Sequence, residues 1–345
     1  MNQDNLSSIT NSKISLPMRK GRGRSSIYGL GETVYDIIFK NDQPQKAVPG
    51  GSAFNAIISL GRTLGVDQEQ SAEVKFITEV GDDHIGQLTL DFMRQNHVNT
   101  DCVSVNKGSK SHLSLAFLDD DNNAQYTFYK DHAGTKFESG ELLPAFTPDD
   151  VVVFGSFFAI NPVIRNHTQA ILTAAHQAGA VLYYDINFRK SHIEDIPFVM
   201  ENLEENLQLA TVVRGSAEDF GYLYGTENAL EVYERHIRRH CPIFICTDGP
   251  RATWLFAPNA ANPGTTLQIR IPTEPLPDVV STIGAGDNFN AGFVYALVHR
   301  QLHAAQLSSL TPAQWMQLVA VGQQFSAHVC QRIENYVDQD FVPET

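Results

Sequence analysis

Long apolar runs and basic clusters are both scarce in this sequence. No stretch approaches the roughly 20 apolar residues that a membrane-spanning helix needs, and no apolar segment follows the initiating methionine. We therefore expect neither a membrane protein nor a secreted one, and we expect the cytoplasm as its compartment. With 25 basic against 39 acidic side chains, the formal net charge is −14. This charge disfavours nucleic acid and anionic membranes as partners, because phosphates attract clustered Lys and Arg.

Metal, redox and dinucleotide motifs are also lacking. The four cysteines lie far apart except for Cys241 and Cys246, whose spacing fits neither a zinc site nor a redox pair, so we predict buried thiols. After the first predicted strand, Gly29-Leu30-Gly31 continues as Glu32-Thr33-Val34, which is not the G-x-G-x-x-G fingerprint of a dinucleotide enzyme. Small molecules other than dinucleotides are the expected ligands.

What the sequence does contain, from residue 27 onward, is an alternation of short apolar runs with longer amphipathic segments. Val151–Phe154 is such a run, Pro162–Ala178 is such a segment, and the last predicted helix covers Pro312–Glu334. Strands that alternate with helices are typical of a mainly parallel sheet covered by helices. We therefore predict an α/β fold, preceded by a flexible polar leader at residues 1–25.

Two stretches interrupt this alternation. Residues 34–49 and 103–130 contain β-forming runs, and the second has two of them around an Asp-Asn turn, which indicates a hairpin. Because both stretches leave the alternating region and return to it, they can pair into a small sheet that closes over a site. Hairpins at the edge of the main sheet are the alternative. Residues 26–33, 50–102 and 131–342 then form the core domain.

The segment Ser281–Phe293, STIGAGDNFNAGF, places Asp287 between a glycine turn and an apolar run with helical spacing. Gly284 and Gly286 permit backbone conformations that expose successive N–H groups, and a helix N-terminus attracts anions. An ordinary helix N-cap also explains a glycine turn with an aspartate. The rest of the sequence must decide between these two interpretations.

Two further motifs carry polar residues that suit a sugar. In PGGSAFN, Gly50 and Gly51 precede a predicted helix, and Asn55 offers both a donor and an acceptor to a hydroxyl group. In GLGETVYDIIF, Asp36 lies among apolar residues, where its carboxylate can accept hydrogen bonds from a sugar diol. A plain strand-to-helix turn and a paired buried aspartate are the alternative interpretations.

In their order along the chain, these motifs resemble those of the PfkB carbohydrate kinases. PGGSAFN is similar to the family's N-terminal signature, and GAGD with its apolar continuation is similar to the C-terminal one. Between them, VGDDHIG, DINFR and TDG follow the family's order at Val80–Gly86, Asp185–Arg189 and Thr247–Gly249. The resemblance runs from about residue 27 to the last helix. It implies the ribokinase-like fold, a three-layer α/β/α arrangement with a mainly parallel central sheet and a small β-sheet lid.

The resemblance implies a role for each motif. Asp287 corresponds to the base that removes the proton from a sugar hydroxyl as it attacks the γ-phosphorus of ATP. The backbone amides of Gly284, Ala285 and Gly286 correspond to an anion hole for the transferring phosphoryl group. The residues that correspond to the family's sugar contacts are Asp36, Gly50, Gly51 and Asn55.

ATP and Mg²⁺ are the cofactors that the resemblance implies. The expected nucleotide contacts are Thr247, Gly249, Ser216, Gly284 and Gly286. Arg189 ends the D-x-N-x-R segment, and its guanidinium suits a phosphate, with an ion pair to Asp185 as the alternative.

The sequence departs from the family pattern at two positions that bear on cations. Ser281 replaces an aspartate that helps to bind a monovalent cation in activated members, which puts K⁺ activation in doubt. The family's Asn-x-x-Glu segment reads Ser216-Ala217-Glu218-Asp219, so Asp219 is the residue that keeps a carboxylate for Mg²⁺.

The opening GETVYDII and PGGSAFN resemble those of fructokinase-like members, which implies fructose or a related hexose or keto-sugar as the acceptor. Ribose and 2-keto-3-deoxygluconate stay open as acceptors, and so does a non-catalytic sensor of sugar or nucleotide. The family also implies a homodimer that forms through the lid sheet. Leu113, Leu115 and Phe117 share one face of the hairpin and suit burial either there or against the substrate.

Overall fold

A computed structural model describes residues 25–65, 72–118, 124–129 and 144–344. The predictions for the leader and for residues 131–143 lie almost wholly outside these ranges.

The described residues form thirteen strands and ten α-helices. The strands are β1 (Ser26–Leu30), β2 (Val34–Lys40), β3 (Gln43–Gly50), β4 (Glu73–Gly81), β5 (Val103–Asn106), β6 (Leu113–Leu118), β7 (Ala124–Tyr129), β8 (Val151–Gly155), β9 (Val181–Asp185), β10 (Val212–Ser216), β11 (Phe244–Asp248), β12 (Ala252–Pro258) and β13 (Thr266–Pro272). The helices are α1 (Ser52–Leu64), α2 (His84–Gln95), α3 (Ser156–Ile160), α4 (Arg165–Gln177), α5 (Ile196–Leu209), α6 (Ala217–Tyr224), α7 (Ala229–Val232), α8 (Ala285–His299), α9 (Ala304–Leu307) and α10 (Pro312–Cys330).

Nine strands form the large sheet, in the order β13-β12-β11-β10-β9-β8-β1-β4-β5. All neighbours are parallel except at one edge, where β12 pairs antiparallel with β11 and β13. The central strands β1, β8 and β9 are buried along their whole length. Helices cover both faces of a parallel sheet, which explains why these strands are continuous apolar runs. The predicted α/β fold is confirmed.

Two hydrophobic cores fill the two faces of this sheet. One contains apolar residues of α1, α8 and α10, and the other contains those of α3 to α7. This gives the three layers that were predicted. Cys241 and Cys246 belong to the second of these cores, Cys102 is half-buried against it, and Cys330 is also buried.

Four strands form the small sheet, in the order β3-β2-β6-β7. The pairs β2–β3 and β6–β7 are antiparallel, and β2–β6 is parallel. β5 does not belong to it, because Val103–Asn106 pairs with β4 in the large sheet. The second segment of the small sheet therefore begins at Leu113 rather than at Val103, the start predicted from the sequence.

The two faces of the small sheet differ in polarity. Asp36 lies opposite Ser114 in the parallel register, and both side chains point to the same face. Ile37 and Phe39 pair with Leu115 and Phe117 on the other face, where the two phenylalanine rings stack with centroids 4.9 Å apart. The apolar residues of the hairpin thus lie on the face away from Asp36.

Helix α10 ends at Cys330, four residues before the predicted end at Glu334. The chain then turns back toward α1 and the small sheet, where Glu334 forms an ion pair with Lys46 (Nζ–Oε1 3.1 Å). The Tyr336 hydroxyl donates a hydrogen bond to the Pro49 carbonyl. These contacts, made with residues almost 290 positions earlier, explain why a continued helix is not favoured here.

Across the described part of the chain, every helix is too short or too polar to cross a bilayer.

Candidate active site

Helices α1 and α8 begin side by side, and glycines make both turns possible. Gly51 precedes α1 with φ 130°, and Gly284 precedes α8 with φ 78°, both in a region that residues with a β-carbon rarely adopt. Helix N-termini carry partial positive charge from their unpaired amides. The meeting point of the two helices is therefore suited to anions.

Asp287 lies in the first turn of α8, and side chains of α1 hold both of its carboxylate oxygens. The Ser52 hydroxyl donates to Oδ1 (2.9 Å), and the Asn55 amide donates to Oδ2 (2.8 Å). Asp287 is buried, and burial raises its pKa above the usual value of an aspartate. The hydrogen bonds from Asn55 and Ser52 and the charge of Arg189 oppose this rise. A buried carboxylate with a raised pKa is what a general base requires.

The other end of the Asn55 amide carries an unused acceptor. Its Oδ1 atom is buried, and no donor from the described residues reaches it. A buried polar atom without a partner costs stability, so such atoms are rare in folded proteins. Here the unpaired oxygen belongs to the same amide group that donates to the carboxylate of Asp287.

The glycine turn before Asp287 contributes backbone amides, but they are not equivalent. The Ala285 amide donates to the Thr282 carbonyl at 3.2 Å, so it would have to leave this contact to bind a phosphate oxygen. As the second residue of α8, Gly286 has an amide with no acceptor inside the helix. The amide contribution predicted for Ala285 is thus the weakest of the three.

A buried ion pair lies beneath the glycine turn at Gly284–Gly286. It joins Asp185 to Arg214, whereas the sequence suggested Arg189 as the partner of Asp185. The guanidinium Nη1 of Arg214 lies 3.0 Å from Oδ1 and 3.1 Å from Oδ2 of Asp185. Asn290 also donates to Asp185 Oδ2 (2.6 Å), so both oxygens of that carboxylate are hydrogen-bonded. Arg189, by contrast, is exposed and makes no such pair within the described residues, so the proposed Arg189–Asp185 ion pair is wrong. Its guanidinium is left available for a ligand.

The residues that were predicted to contact a nucleotide lie at the carboxyl ends of β10 and β11. Thr247 accepts a hydrogen bond from Arg214 Nη2 (2.7 Å), and Gly249 has a positive φ of 48°. Ser216 caps α6, with its hydroxyl bonded to the Asp219 amide and its own amide bonded to Asp219 Oδ2 (2.7 Å). Ligands of open α/β sheets bind outside the carboxyl ends of the strands, which is where these residues lie.

This capping box bears directly on the predicted metal ligand. Asp219 is buried, and burial, followed by the charge of Asp185, raises its pKa to about 6. Within the described residues, no three His, Cys, Asp or Glu side chains are grouped so that they could cage a metal. A Mg²⁺ bound mainly by nucleotide phosphates and water needs few protein ligands, and this donor set fits such a hydrated ion.

Asp36 is held on the small sheet near the start of α1. Its Oδ1 atom accepts a hydrogen bond from the Ser114 hydroxyl (2.6 Å), and burial raises its pKa. Gly50 lies against it, and a side chain there would overlap Asp36 Oδ2. The small sheet thus carries a carboxylate toward the same region as Gly50, Gly51 and Asn55.

The sequence reasoning missed several residues that build this site. Ser52 and Ser114 gave no signal beyond membership of a motif or a strand. Asn187 was noted as part of the D-x-N-x-R segment, but its contact with Ser52 was not predicted. Arg214 did give one, because an arginine within the apolar run Val212–Ser216 has to be paired if it is buried.

The chain matches the family model described as pfkB family carbohydrate kinase over residues 25–338. A fructokinase of Klebsiella pneumoniae is 26% identical over 272 residues, which cover 79% of this chain and 84% of that protein. The probable fructokinase-6, chloroplastic, of Arabidopsis thaliana is 25% identical over 313 residues, covering 85% of this chain and 77% of the relative.

Solved structures share the fold. The fructokinase from Vibrio cholerae O395, crystallised with fructose, ADP and calcium, superimposes with a TM-score of 0.73 at 21% identity, covering 90% of this chain and 94% of that one. The aminoimidazole riboside kinase from Salmonella enterica, complexed with aminoimidazole riboside and an ATP analog, gives 0.73 at 20% identity, covering 92% and 97%. These neighbours confirm the ribokinase-like architecture. The match along almost the whole described chain shows that this protein belongs to the PfkB family of carbohydrate kinases.

Proposed function

We propose that this sugar kinase transfers the γ-phosphoryl group of ATP to a hydroxyl group of fructose or a closely related keto-sugar, with Asp287 as the base. One observation carries the assignment of the base. The Asp287 carboxylate is buried at a helix N-terminus, beside the unpaired acceptor Oδ1 of Asn55. One sugar hydroxyl can donate to Asp287 while its neighbour donates to Asn55.

In the proposed reaction, the sugar oxygen attacks the γ-phosphorus and its proton passes to Asp287. The bond between the γ-phosphorus and the oxygen that joins it to the β-phosphate breaks, and ADP leaves. During this transfer, the backbone amides of Gly284 and Gly286 stabilise the negative charge on the phosphoryl group. Removing one donor of this kind costs about 2.7–4 kcal/mol in a well-studied hydrolase, so these amides can matter as much as the base.

Mg²⁺, when bound with ATP, would neutralise charge on the phosphate oxygens. We assign Asp219 to hold it through water, since one of its oxygens already caps α6. Arg189 is the second cation that we assign to the phosphate, because it is exposed and close enough to affect the pKa of Asp287.

We assign the sugar to Asp36, the Gly50–Gly51 turn and Asn55. The relatives named fructokinase support a keto-sugar, while the aminoimidazole riboside kinase supports a ribose-like acceptor as the second candidate. The test is an ADP-release assay with fructose, tagatose, ribose, aminoimidazole riboside and 2-keto-3-deoxygluconate. Fructose should give the highest kcat/KM; turnover with a riboside alone would overturn the keto-sugar assignment.

The base is tested with Asp287→Asn. The oxygen of the new amide can still accept from Asn55 Nδ2, and its nitrogen can donate to the Ser52 oxygen, so the variant should fold and bind both substrates. We expect kcat to fall by about 10²- to 10⁴-fold with little change in sugar affinity measured by calorimetry. Asp340→Asn removes the charge of an exposed aspartate in the C-terminal segment and should leave kcat unchanged. Near-normal turnover in Asp287→Asn would refute the assignment.

We further propose that K⁺ does not activate this enzyme. Ser281 has a hydroxyl group where a carboxylate would be needed, and this hydroxyl accepts from the Ile283 amide (3.1 Å). The same assay with K⁺ replaced by a bulky organic cation should give equal rates.

We also propose that the protein forms a homodimer through the face of the small sheet that points away from Asp36. Ile37, Phe39, Leu115 and Phe117 lie on this face, and Phe117 keeps 36% of its surface exposed in the single chain. Contiguous exposed apolar residues often mark an interface. Light scattering should give the mass of a dimer for the protein and of a monomer for Phe117→Asp.

A further inference from the structure

One hydroxyl group connects the proposed base to the end of the large sheet. The Ser52 Oγ atom lies 2.9 Å from Asp287 Oδ1 and 2.7 Å from Asn187 Nδ2. Ser52 is the first residue of α1, and Asn187 follows β9 by two residues. The three side chains thus form a short chain of hydrogen bonds across the site.

The direction of this chain follows from the chemistry of its members. An amide nitrogen can only donate, so the Ser52 oxygen is the acceptor in its bond with Asn187. Its single proton is then free to point at Asp287, and an ionised carboxylate can only accept. A hydroxyl that already accepts a hydrogen bond is a better donor, because such chains are cooperative. Both bonds therefore favour the ionised carboxylate.

Asn187 is held in the position that this chain requires. Its φ is 38°, a left-handed conformation that asparagine tolerates better than most residues, and it is buried. It follows Asp185, which Arg214 and Asn290 fix in the core. The donor that orients the Ser52 hydroxyl is thus a buried side chain just beyond the fixed end of β9.

We propose that Ser52 is a positioning residue for the base: its hydroxyl, oriented by Asn187, keeps the Asp287 carboxylate ionised and in one orientation. This inference rests on the proposed role of Asp287. The charged groups that act on Asp287 are Arg189, which favours its ionised form, and Asp185, which disfavours it. Neither one contacts Ser52 in the described structure, so the effect of the hydroxyl can be separated from theirs.

The experiment is the pH dependence of kcat/KM for the best acceptor sugar, measured with the full-length protein. A base must be ionised, so activity falls on the acidic side of its pKa. Ser52→Ala removes a donor from the carboxylate and should move this acidic limb up by about one pH unit, with little change above it. Ser52→Thr keeps the hydroxyl and should return the limb to its wild-type position.

Asn187→Asp is the sharper variant, because aspartate also tolerates a positive φ. Its carboxylate would accept the Ser52 proton, turn the hydroxyl away from Asp287 and add a negative charge nearby. The acidic limb should move further up than in Ser52→Ala. Thr63→Ala removes a hydroxyl from the far end of the same helix, where it bonds to the Ser59 carbonyl (2.9 Å), and should leave the profile unchanged.

An acidic limb that stays in place in both Ser52→Ala and Asn187→Asp would overturn this inference. If the acidic limb stays in place but Asp287→Asn is inactive in the same assay, only the role of Ser52 is refuted and the assignment of Asp287 as the base still holds. Equal shifts in Ser52→Ala and Ser52→Thr would also contradict this inference, because they would show that packing and not the hydroxyl matters.

Discussion

The guanidinium of Arg214 lies directly against Gly286, so closely that a β-carbon at position 286 would be 3.0 Å from both of its terminal nitrogens. Arg214 cannot easily move away, because it is buried and bonded to both Asp185 and Thr247. The same residue therefore supports the glycine turn from below and fixes the ends of three neighbouring strands. The absence of a side chain at Gly286 allows the amides of α8 to come this close to a buried positive charge.

Gly286→Ala should therefore damage phosphoryl transfer. The new methyl group must displace either Arg214 or the first turn of α8, and a misplacement of about 1 Å can cost about a hundredfold in rate. We expect kcat to fall between about tenfold and a hundredfold, with a lower melting temperature. Gly221→Ala is the control, since the new methyl group would meet only the flexible side chain of Glu227. Unchanged steady-state kinetics in Gly286→Ala would show that the turn is looser than the structure indicates.

Gly50→Ala should weaken sugar binding selectively. Its methyl group would overlap the Asp36 carboxylate, which the Ser114 hydroxyl holds in place. A hydrogen bond to a charged group contributes about 1.5–3 kcal/mol, so the KM for the sugar should rise at least about tenfold. The KM for ATP should change less than about twofold. Titration calorimetry with each substrate separates the two effects, and an equal loss for both would argue against a sugar contact at Asp36.

Asp219 should make stability depend on pH. Its pKa is raised to about 6 in the folded protein, and an unfolded aspartate titrates near 3.9. Between these values the folded protein binds more protons, so the contribution of this group to stability falls as pH rises from about 4 to 6 and stays low above it.

In Asp219→Asn this fall should disappear, since the amide oxygen can still accept from the Ser216 amide. Without nucleotide or metal, the variant should be more stable than the wild type at pH 8, by up to about 3 kcal/mol, and no more stable at pH 4. Urea unfolding at both pH values measures the difference. Glu218→Gln, its exposed neighbour, should keep the wild-type dependence.

Tyr336→Phe should loosen the C-terminal segment. The change removes the hydroxyl that donates to the Pro49 carbonyl, just before the Gly50–Gly51 turn. The free energy of unfolding should fall by about 1 kcal/mol, and the KM for the sugar should rise severalfold. Tyr222→Phe removes a hydroxyl that bonds Glu218 on the surface, and there both quantities should stay the same. A sugar KM that does not change in Tyr336→Phe would mean that the turn keeps its shape without this contact.

Much of the architecture could be predicted because its causes are local. A strand buried on both faces, such as Val151–Gly155, has to be apolar throughout, and Ala285–His299 repeats its apolar residues with helical spacing. The end of α10 and the membership of β5 were predicted wrongly, since partners distant in sequence decide both. The four residues Val103–Asn106 do not by themselves determine whether this strand pairs with β4 or with β6.

In the candidate site too, residues that stand out locally could be predicted, and contacts between distant residues could not. Asp287, Asn55 and Asp36 stand out in motifs, and the structure brings Asp287 and Asn55 into direct contact. The partner of Asp185 could not be predicted, because Arg189 is near in sequence while Arg214 is near in space, on the next strand of the sheet. Ser52 was missed because one hydroxyl among many gives no signal until its neighbours are known.

The contact between Ser52 and Asp287 joins residues 235 positions apart. During synthesis on the ribosome, α1 emerges long before α8 exists. Synthesis adds about 5–20 residues per second, so Asp287 is made on the order of ten seconds or more after Ser52. A growing chain can therefore bury much of its sheet but cannot form the base and its hydrogen bonds. Phosphoryl transfer should begin only after α8 has been made, so growing chains that have not reached α8 should not consume ATP.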